Sequence, residues 1–253
     1  MLLLVDAGNT RIKWACADEN AGPGQWLDHG WVEHAGLNGL RSAFGAHPVD
    51  RVLVSNVAGA ALRGALEQEL LAGGVDPACI EWFASEPERA GLRNRYRNPR
   101  QLGSDRFASA IGARALYPGR ALLVATCGTA TTIDAISPDG VFVGGMILPG
   151  LGLMAASLAR NTAQLPQVAQ GLDAAEPFAD HTDAAIASGC LAAQAGAIER
   201  AHAALVRRHE APQCLLSGGA AALISPHLAP PHARIDNLVL IGLQAAHALS
   251  PRC

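Results

Sequence analysis

A short turn near the start of the chain, Asp6 to Thr10, carries residue types that suit phosphate binding. Gly8 allows the backbone to bend sharply and to approach a ligand without a side chain in the way. Backbone N–H groups and the side chains of Asn9 and Thr10 offer uncharged donors to phosphate oxygens. Lys13 adds a positive charge, and Asp6 suits Mg²⁺, which prefers a few carboxylates together with substrate phosphates. The alternative is a plain hairpin turn, because Asn and Gly favour turns in any context.

A second turn of the same kind occurs in the other half of the chain. Gly128 follows an apolar run, Ala121 to Ala125, and precedes Thr129, which supplies a hydroxyl. A third segment, Gly218 and Gly219, follows another apolar run, and its small residues allow close approach of an adenine or a ribose. We expect the first two turns to hold one polyphosphate from two sides. Each segment alone is a weak signal, but their order along the chain favours nucleotide binding.

Asp105 is the best candidate for a group that accepts a proton. A helix is predicted to begin at Ser104, which can cap it, so Asp105 falls in the first turn, where the helix dipole favours the ionised carboxylate. Arg106 follows directly, and its guanidinium can neutralise a phosphoryl group or orient the acceptor. Such a pair suits phosphoryl transfer, in which a hydroxyl loses its proton while negative charge is neutralised. The alternative is that Asp105 only supports helix initiation and that Arg106 pairs with a surface acid.

The elements that must position these residues repeat in the two halves of the chain. Apolar runs at Leu2 to Val5 and Ala121 to Ala125 each end in a glycine turn, and apolar residues resume at Arg11 to Ala17 and Thr131 to Ile136. The pattern predicts strand–turn–strand units and an internal duplication. With helices predicted among the strands, it indicates an α/β fold. We expect one domain in each half, spanning residues 1–118 and 119–253.

Composition and charge exclude some classes of protein. Half of the 253 residues are apolar, which is enough for a sizeable core, and only 4% are aromatic, which leaves few rings for stacking on nucleic-acid bases. The formal net charge of −3 creates no field that would gather polyanions. We therefore expect no nucleic-acid partner.

No stretch of the chain resembles a membrane span or a secretion signal. The apolar residues at the start are interrupted at Asp6, and no apolar run reaches the roughly 18 residues that a span requires. None of the six cysteines forms a C-x-x-C pair, and their spacings match no zinc site. We expect a reduced cytoplasmic protein without a membrane partner.

Three segments, in order, resemble the motifs of one kinase family. D-x-G-N-T stands at Asp6–Thr10, N-P-x-x-x-G-x-D-R at Asn98–Arg106 and G-T-A-T-T at Gly128–Thr132. Together they resemble the type III pantothenate kinases of the actin-like ATPase superfamily, over nearly the whole chain. The resemblance implies two duplicated ribonuclease H-like domains, each with a mixed five-stranded sheet flanked by helices. It also implies ATP-dependent phosphorylation of pantothenate to 4′-phosphopantothenate, the first step of coenzyme A biosynthesis.

The resemblance also implies roles for individual residues. Asp105 is the proton acceptor, and Asp6 lies near the Mg²⁺ that accompanies ATP. Family members are dimers, so we expect a homodimer. The residues that the resemblance implies for pantothenate are Tyr96, Gly103, Ser104, Asp105, Arg106 and Thr182. Those that the three glycine segments predict for ATP are Asp6, Gly8, Asn9, Thr10, Lys13, Gly128, Thr129, Gly218 and Gly219.

One position departs from the family pattern. Family members carry an aspartate two residues before the second turn, where it binds an activating monovalent cation, K⁺ or NH₄⁺. Thr126 stands there in this chain, and its hydroxyl is a neutral and weaker ligand for a hard cation. Asp134, on the following predicted strand, is either a substitute ligand or else a solvated strand acid or a support for the turn. The requirement for a monovalent cation is therefore left open by the sequence.

Two other functions fit the same motifs. A related kinase would act on another small hydroxyl or carboxylate compound, although sugar kinases of this fold are usually much longer. An accessory or regulatory factor would keep the nucleotide fold without turnover. The presence of Asp6, Asp105 and Arg106 argues against such a factor, since an inactive site need not keep all three.

Overall fold

The computed structural model describes residues 1–44, 48–166, 168, 176–209 and 211–249, in which strands and helices alternate and confirm the predicted α/β class. The strands are β1 (Leu2–Ala7), β2 (Arg11–Ala17), β3 (Asp28–Glu33), β4 (Arg51–Asn56), β5 (Ile80–Phe83), β6 (Glu88–Arg89), β7 (Leu92–Asn94), β8 (Leu122–Cys127), β9 (Ala130–Ile136), β10 (Val141–Pro149), β11 (Gln213–Ser217) and β12 (His232–Arg234). The helices are α1 (Gly39–Phe44), α2 (Ala60–Ala72), α3 (Ser104–Leu116), α4 (Leu151–Asn161), α5 (Thr182–Val206), α6 (Ala221–Ile224) and α7 (Leu238–Ala248). Within these residues no helix is both long enough and apolar enough to cross a bilayer.

The described chain divides into two compact units. The first combines Met1–Gly119 with Gly140–Phe142 and the C-terminal segment from Asn237, and the second combines Arg120–Asp139 with Val143–Asp236. The division into residues 1–118 and 119–253 stays a prediction. The units differ from it mainly because α7 packs on α3 and so belongs to the first unit.

The first unit is built on a mixed sheet with the strand order β3-β2-β1-β4-β5. β1 runs antiparallel to β2 and parallel to β4, and β4 runs parallel to β5. The apolar run Leu2 to Val5 is buried on both faces, as expected for a central strand. This strand carries Asp6 to the end of the sheet, and β2 returns from the turn with Lys13 opposite Asp6.

The second unit has the strand order β12-β11-β8-β9-β10. β8 runs antiparallel to β9 and parallel to β11, and β11 runs parallel to β12. Leu123, Ala125 and Cys127, on one face of β8, join the core formed with α4 and α5. Because side chains alternate across a strand, Thr126 lies on the other face. Beyond β10 the strand order continues with β7 and then β6. β7 pairs with Val141 and Phe142 of β10, and these two residues belong to the first unit.

Two glycines let α3 and α7 pack with their backbones in contact. A Cβ atom on Gly112 would lie 2.6 Å from the carbonyl oxygen of Leu238, and one on Gly242 would overlap the carbonyl oxygen of Ala108. Only a residue without a side chain permits such an approach. Because Asp105 stands in the first turn of α3, this contact fixes the helix that carries the predicted base.

Gln244 ties α7 to the loop between β2 and β3. Its buried side chain accepts hydrogen bonds at Oε1 from the backbone N–H of Gly24 (2.9 Å) and from Trp26 Nε1 (3.0 Å). Its Nε2 donates to the carbonyls of Ala21 (3.2 Å) and Gly22 (3.0 Å). A buried amide satisfied at both ends stiffens what it joins, so α7 is a firm support for α3.

We predict that Gly242→Ala destabilises the protein. The added methyl group meets backbone atoms of α3, which cannot move aside as a flexible side chain would. The expected loss in the free energy of unfolding is about 3 kcal/mol, as for an overpacked core. Urea unfolding followed by circular dichroism measures this loss.

Gly64→Ala is the matched control for this experiment. Gly64 lies inside α2, where a Cβ atom would have nothing within 4 Å. Its replacement should stabilise the protein by up to about 1 kcal/mol, because alanine favours helix. Equal unfolding free energies for the two variants would contradict the role assigned to the α3–α7 contact.

Candidate functional site

The first glycine turn is a tight hairpin between β1 and β2. The backbone N–H of Gly8 donates to the carbonyl of Arg11 at 3.1 Å, so the chain reverses over Asn9 and Thr10. Both of these residues are exposed. The tip of the turn is therefore open to a ligand, as the phosphate-binding prediction requires.

Asp6 lies at the end of β1, across from Lys13 on β2. Burial raises the pKa of its carboxyl to about 7, the negative charge of Asp105 adds to the effect, and the charge of Lys13 opposes it. A positive charge bound here would relieve both unfavourable effects on the carboxylate. Among the described residues, no group of three or more His, Cys, Asp or Glu side chains could hold a metal ion alone. A single carboxylate whose charged form is disfavoured by burial fits Mg²⁺ bound jointly with substrate phosphates.

Asp105 stands one residue inside the N-terminus of α3. Its Oδ1 accepts a hydrogen bond from the backbone N–H of Arg106 at 2.8 Å. Burial raises the pKa of this carboxyl, and the hydrogen bond and charge of Arg106 lower it less. The backbone at the helix start therefore favours the ionised form, as predicted, but desolvation outweighs it. A carboxylate with raised proton affinity is well suited to accept a proton.

Gly103 and Ser104 shape the start of α3 in a way that differs from the prediction. Ser104 is the first helical residue and does not cap the helix; Gly103 is in the cap position without a side-chain hydrogen bond. Ser104 Oγ instead bonds to Ser55 Oγ at 2.9 Å, and Ser85 Oγ donates to the Gly103 carbonyl at 3.3 Å. Ser55 and Ser85 were not predicted as site residues, since nothing in their local sequence marks them.

Gly103 also makes room for the carboxylate of Asp105. A Cβ atom on Gly103 would lie 2.6 Å from Asp105 Oδ1. The glycine in the motif therefore allows the side chain of Asp105 to fold back over the helix start.

Arg106 is buried among aromatic side chains. It is 6% exposed, and its Nη1 donates to the Tyr96 hydroxyl at 3.0 Å. Its guanidinium carbon lies 5.7 Å from the centre of the Tyr96 ring and 5.8 Å from that of Phe142. This burial is at odds with the alternative of a surface ion pair. Phe142 was not predicted, because its contact with Arg106 depends on the pairing of β10 with β7.

Asn94 organises the loop that carries Tyr96. Its Oδ1 accepts from the backbone N–H of Tyr96 at 3.0 Å, and its Nδ2 donates to the carbonyl of Pro99 at 3.1 Å. Asn98 makes the same kind of bond, because its Oδ1 accepts a hydrogen bond from the backbone N–H of Arg100 at 3.2 Å. These side chains replace regular structure as partners for the backbone. The loop between β7 and α3 therefore has a defined shape although its sequence has no periodicity.

A cavity of about 350 Å³ opens beside the start of α3. Gly103 and Ser104 line it, and so do Asn56 and Ser85. A cavity of this size accommodates a small organic molecule. The predicted pantothenate residues Gly103 and Ser104 thus border a space that could take part of a substrate.

In the second unit, Gly128, Gly150 and Gly218 converge on the second turn. The backbone N–H of Gly128 donates to the Ala130 carbonyl at 3.1 Å, and Gly128 and Thr129 are exposed. A Cβ atom on Gly150, at the start of α4, would lie 2.7 Å from the Thr129 carbonyl. A Cβ atom on Gly218 would overlap the carbonyl oxygen of Cys127, directly before the turn, and the φ of Gly218 is +92°, which favours glycine. The third glycine segment therefore lies against the second turn, as nucleotide binding by both requires.

Thr126 pairs with Thr132 across β8 and β9, so their side chains share one face. Thr132 Oγ1 is buried and has no hydrogen-bond partner among the described residues. Asp134 is only 2% exposed, so the alternative of a solvated strand acid is wrong for it. Buried oxygen atoms thus lie around Thr126, but Thr126 itself contributes no charge.

Thr182 lies in the second unit, at the first residue of α5. It is exposed and borders a cavity of about 610 Å³ between α4 and α5, whose other lining residues include Met154, Ile186 and Cys190. Asp6, Lys13, Tyr96, Asp105 and Arg106 belong to the first unit.

Comparison with known proteins adds family evidence to this geometry. A family model described as type III pantothenate kinase matches residues 2–204. A protein named "Type III pantothenate kinase" from Janthinobacterium sp. (strain Marseille) is 61% identical over 260 residues, and the match covers 100% of both chains.

Solved structures agree on the fold. Glucokinase from an Antarctic psychrotroph superposes with a TM-score of 0.53 and 14% identity, over 98% of each chain. The activator of 2-hydroxyisocaproyl-CoA dehydratase from Clostridium difficile superposes with a TM-score of 0.51 and 11% identity, over 98% of this chain and 92% of that one. These likenesses concern the fold alone, and they confirm the predicted actin-like ATPase architecture.

We predict that Asp6→Asn stabilises the ligand-free protein, and increasingly so as the pH rises from about 4 to about 7. The folded state holds a proton on Asp6 up to a pKa of about 7, whereas the unfolded state releases it near the ordinary value of 3.8. The free energy of unfolding of the wild type therefore falls across this range, by on the order of 2 kcal/mol after allowance for partial exposure. Urea unfolding of both proteins at several pH values measures the difference.

Asp18→Asn is the control, because Asp18 is an exposed aspartate of the same unit. Its unfolding free energy should follow the wild type at every pH. A constant difference between Asp6→Asn and the wild type would contradict the raised pKa of Asp6.

Proposed function

The chain belongs to the type III pantothenate kinase family, and from that premise we propose that Asp105 is the base in transfer of the γ-phosphoryl group of ATP to pantothenate. The product is 4′-phosphopantothenate, at the first step of coenzyme A biosynthesis. The observation that carries the assignment is a desolvated carboxylate with a raised pKa, directly beside a buried arginine at the start of α3.

Asp105 would accept the proton of the attacking hydroxyl. Its raised pKa supports this role, because a carboxylate with a higher proton affinity accepts the proton of the hydroxyl more readily. The bond from the Arg106 N–H to Oδ1 holds the carboxylate in one orientation. The O–H bond of the acceptor breaks as its oxygen bonds to phosphorus, and the bond to the leaving ADP oxygen breaks in line.

Arg106 would neutralise charge near the transferred group or orient the acceptor. Its hydrogen bond to Tyr96 and its contact with Phe142 support a fixed guanidinium rather than a mobile one. A charge fixed before the reaction stabilises the transition state without reorganisation. Pantothenate would contact Tyr96, Gly103 and Ser104 of the first unit. Thr182 is a further candidate contact on the grounds of the family motif alone.

ATP would be bound by the glycine turns of each unit. In the first unit the Gly8 turn offers exposed donors with Lys13 nearby, and in the second unit Gly128, Thr129 and the Gly218 segment do so. Mg²⁺, when bound, would neutralise charge on the ATP phosphates, and Asp6 would be its protein ligand.

A homodimer and a cytoplasmic location complete the proposal. Four exposed apolar side chains of the second unit support a partner surface, namely Met146, Ile147, Leu153 and Leu158. A reducing compartment is supported by five free cysteines among the described residues, while Cys253 lies outside them. Neither feature bears on the chemistry at Asp105.

We predict that Asp105→Asn lowers kcat by about 10²- to 10⁴-fold, the contribution of a general base. The amide has nearly the same shape but cannot accept the proton. The assay measures ADP release by wild type and variant with Mg²⁺, with and without pantothenate, in the presence of K⁺ or NH₄⁺. Binding of ATP should persist in the variant.

The wild-type control decides between the functions left open by the sequence. Release of ADP stimulated by pantothenate supports the proposal, and stimulation only by another small alcohol supports a kinase of different substrate. Nucleotide binding without any stimulated turnover would identify an accessory factor. Full activity of Asp105→Asn would exclude Asp105 as the base.

We further propose a monovalent-cation site of low affinity at Thr126, and predict that Thr126→Asp strengthens activation by K⁺. The carboxylate would supply the missing charge beside the unpartnered Thr132 Oγ1. The K⁺ concentration for half-maximal rate should fall about tenfold, the usual scale of one added charged ligand. Initial rates over a K⁺ titration measure it, with Thr126→Asn as the uncharged control. Identical titrations for the two variants would rule out the site.

A further inference from the structure

A histidine from outside the glycine turns contacts the first of them. His34 Nε2 lies 2.9 Å from the carbonyl oxygen of Gly8, although the two residues are 26 positions apart. A carbonyl oxygen only accepts hydrogen bonds, so His34 Nε2 carries a hydrogen and donates it. This contact joins the loop after β3 to the turn between β1 and β2.

The pairing of β2 with β3 explains the reach of His34. Arg11, the first residue after the turn, stands opposite Glu33, the last residue of β3. His34 follows immediately and begins a 3-10 turn at His34–Gly36. The end of β3 therefore delivers the imidazole to the side of the Gly8 turn.

The hydrogen bond acts on one peptide unit of the turn. The Gly8 carbonyl and the Asn9 N–H belong to the same planar trans peptide and point in opposite directions. An imidazole that holds the oxygen therefore sets the direction of the N–H. The hairpin bond to Arg11 uses the Gly8 N–H, whereas His34 binds the Gly8 carbonyl, so the bond from His34 is a separate restraint.

Such a restraint matters because Gly8 has no side chain. Glycine loses more conformational freedom than other residues when it is fixed, and a turn that binds phosphate must hold its N–H groups in place. Asn9 is exposed, so little packing restrains it. His34 supplies a restraint from a neighbouring strand.

We propose that His34 is a positioning residue for the nucleotide: by holding the Gly8 carbonyl it orients the Asn9 N–H toward phosphate. The inference rests on the proposed binding of ATP at the Gly8 turn. His34 does not touch the reacting atoms, so it should affect nucleotide affinity rather than turnover at saturation.

His34→Ala and His34→Gln test the inference, because the amide Nε2 of glutamine can occupy the place of the imidazole Nε2. Equilibrium dissociation constants for a non-hydrolysable ATP analogue with Mg²⁺ are measured by calorimetry, together with kcat, the KM for pantothenate and the Tm. His34→Ala should weaken nucleotide binding about three- to tenfold, the loss of one exposed hydrogen bond, with the other quantities unchanged. His34→Gln should bind within about twofold of the wild type.

His29→Ala is the matched control. His29 is an exposed histidine of β3 that packs near Trp26 rather than against the turn, and its replacement should leave nucleotide binding unchanged. Unchanged nucleotide binding in His34→Ala would overturn the inference. A lowered Tm together with a raised KM for pantothenate would also overturn it, because the variant would then be damaged generally. No nucleotide binding by the wild type would overturn the proposed function itself, whereas tight wild-type binding without an effect of His34 would overturn only this inference.

Discussion

The position of α3 depends on a contact that leaves no space for side chains. Gly112 on α3 and Gly242 on α7 bring the two backbones together, and Gln244 fastens α7 to the loop after β2. Because helices this close cannot slide without overlap of backbone atoms, the N-terminus of α3 is held at one place relative to the first sheet. Ser55 then joins β4 to that N-terminus. Asp105 is thus placed by interactions well away from its own carboxylate.

The same position makes Asp105 costly to ionise. Burial raises the pKa of both Asp105 and Asp6, and the negative charge of Asp105 raises that of Asp6 further. A protein selected only for stability would avoid two desolvated carboxylates in one unit. Here the desolvation serves the proposed chemistry, because it strengthens Asp105 as a base and gives Asp6 a reason to bind a cation. Stability and function therefore oppose each other at this site.

In the second unit, glycines again allow close packing, here against the Gly128 turn. Gly150 and Gly218 approach the Gly128 turn so closely that larger residues would overlap its backbone. The turn is then supported from the start of α4 and from the end of β11. In the first unit, by contrast, the Gly8 turn is supported by a side chain, that of His34. Duplicated strand–turn–strand units thus reach similar turns by different restraints.

The two turns, the segment around Asp105, the α/β class and the family could all be predicted from the sequence, because they depend on local patterns of apolar runs, glycines and motif residues. Tertiary structure alone decided that α7 joins the first unit, that Ser104 bonds to Ser55 rather than capping α3, and that Asp134 is buried. Burial and long-range hydrogen bonds depend on which distant segments meet, and no local pattern records that. The pKa of Asp105 shows the difference most clearly: its place at a helix start could be read from neighbouring residues, but the desolvation that outweighs the helix comes from the packed unit around it.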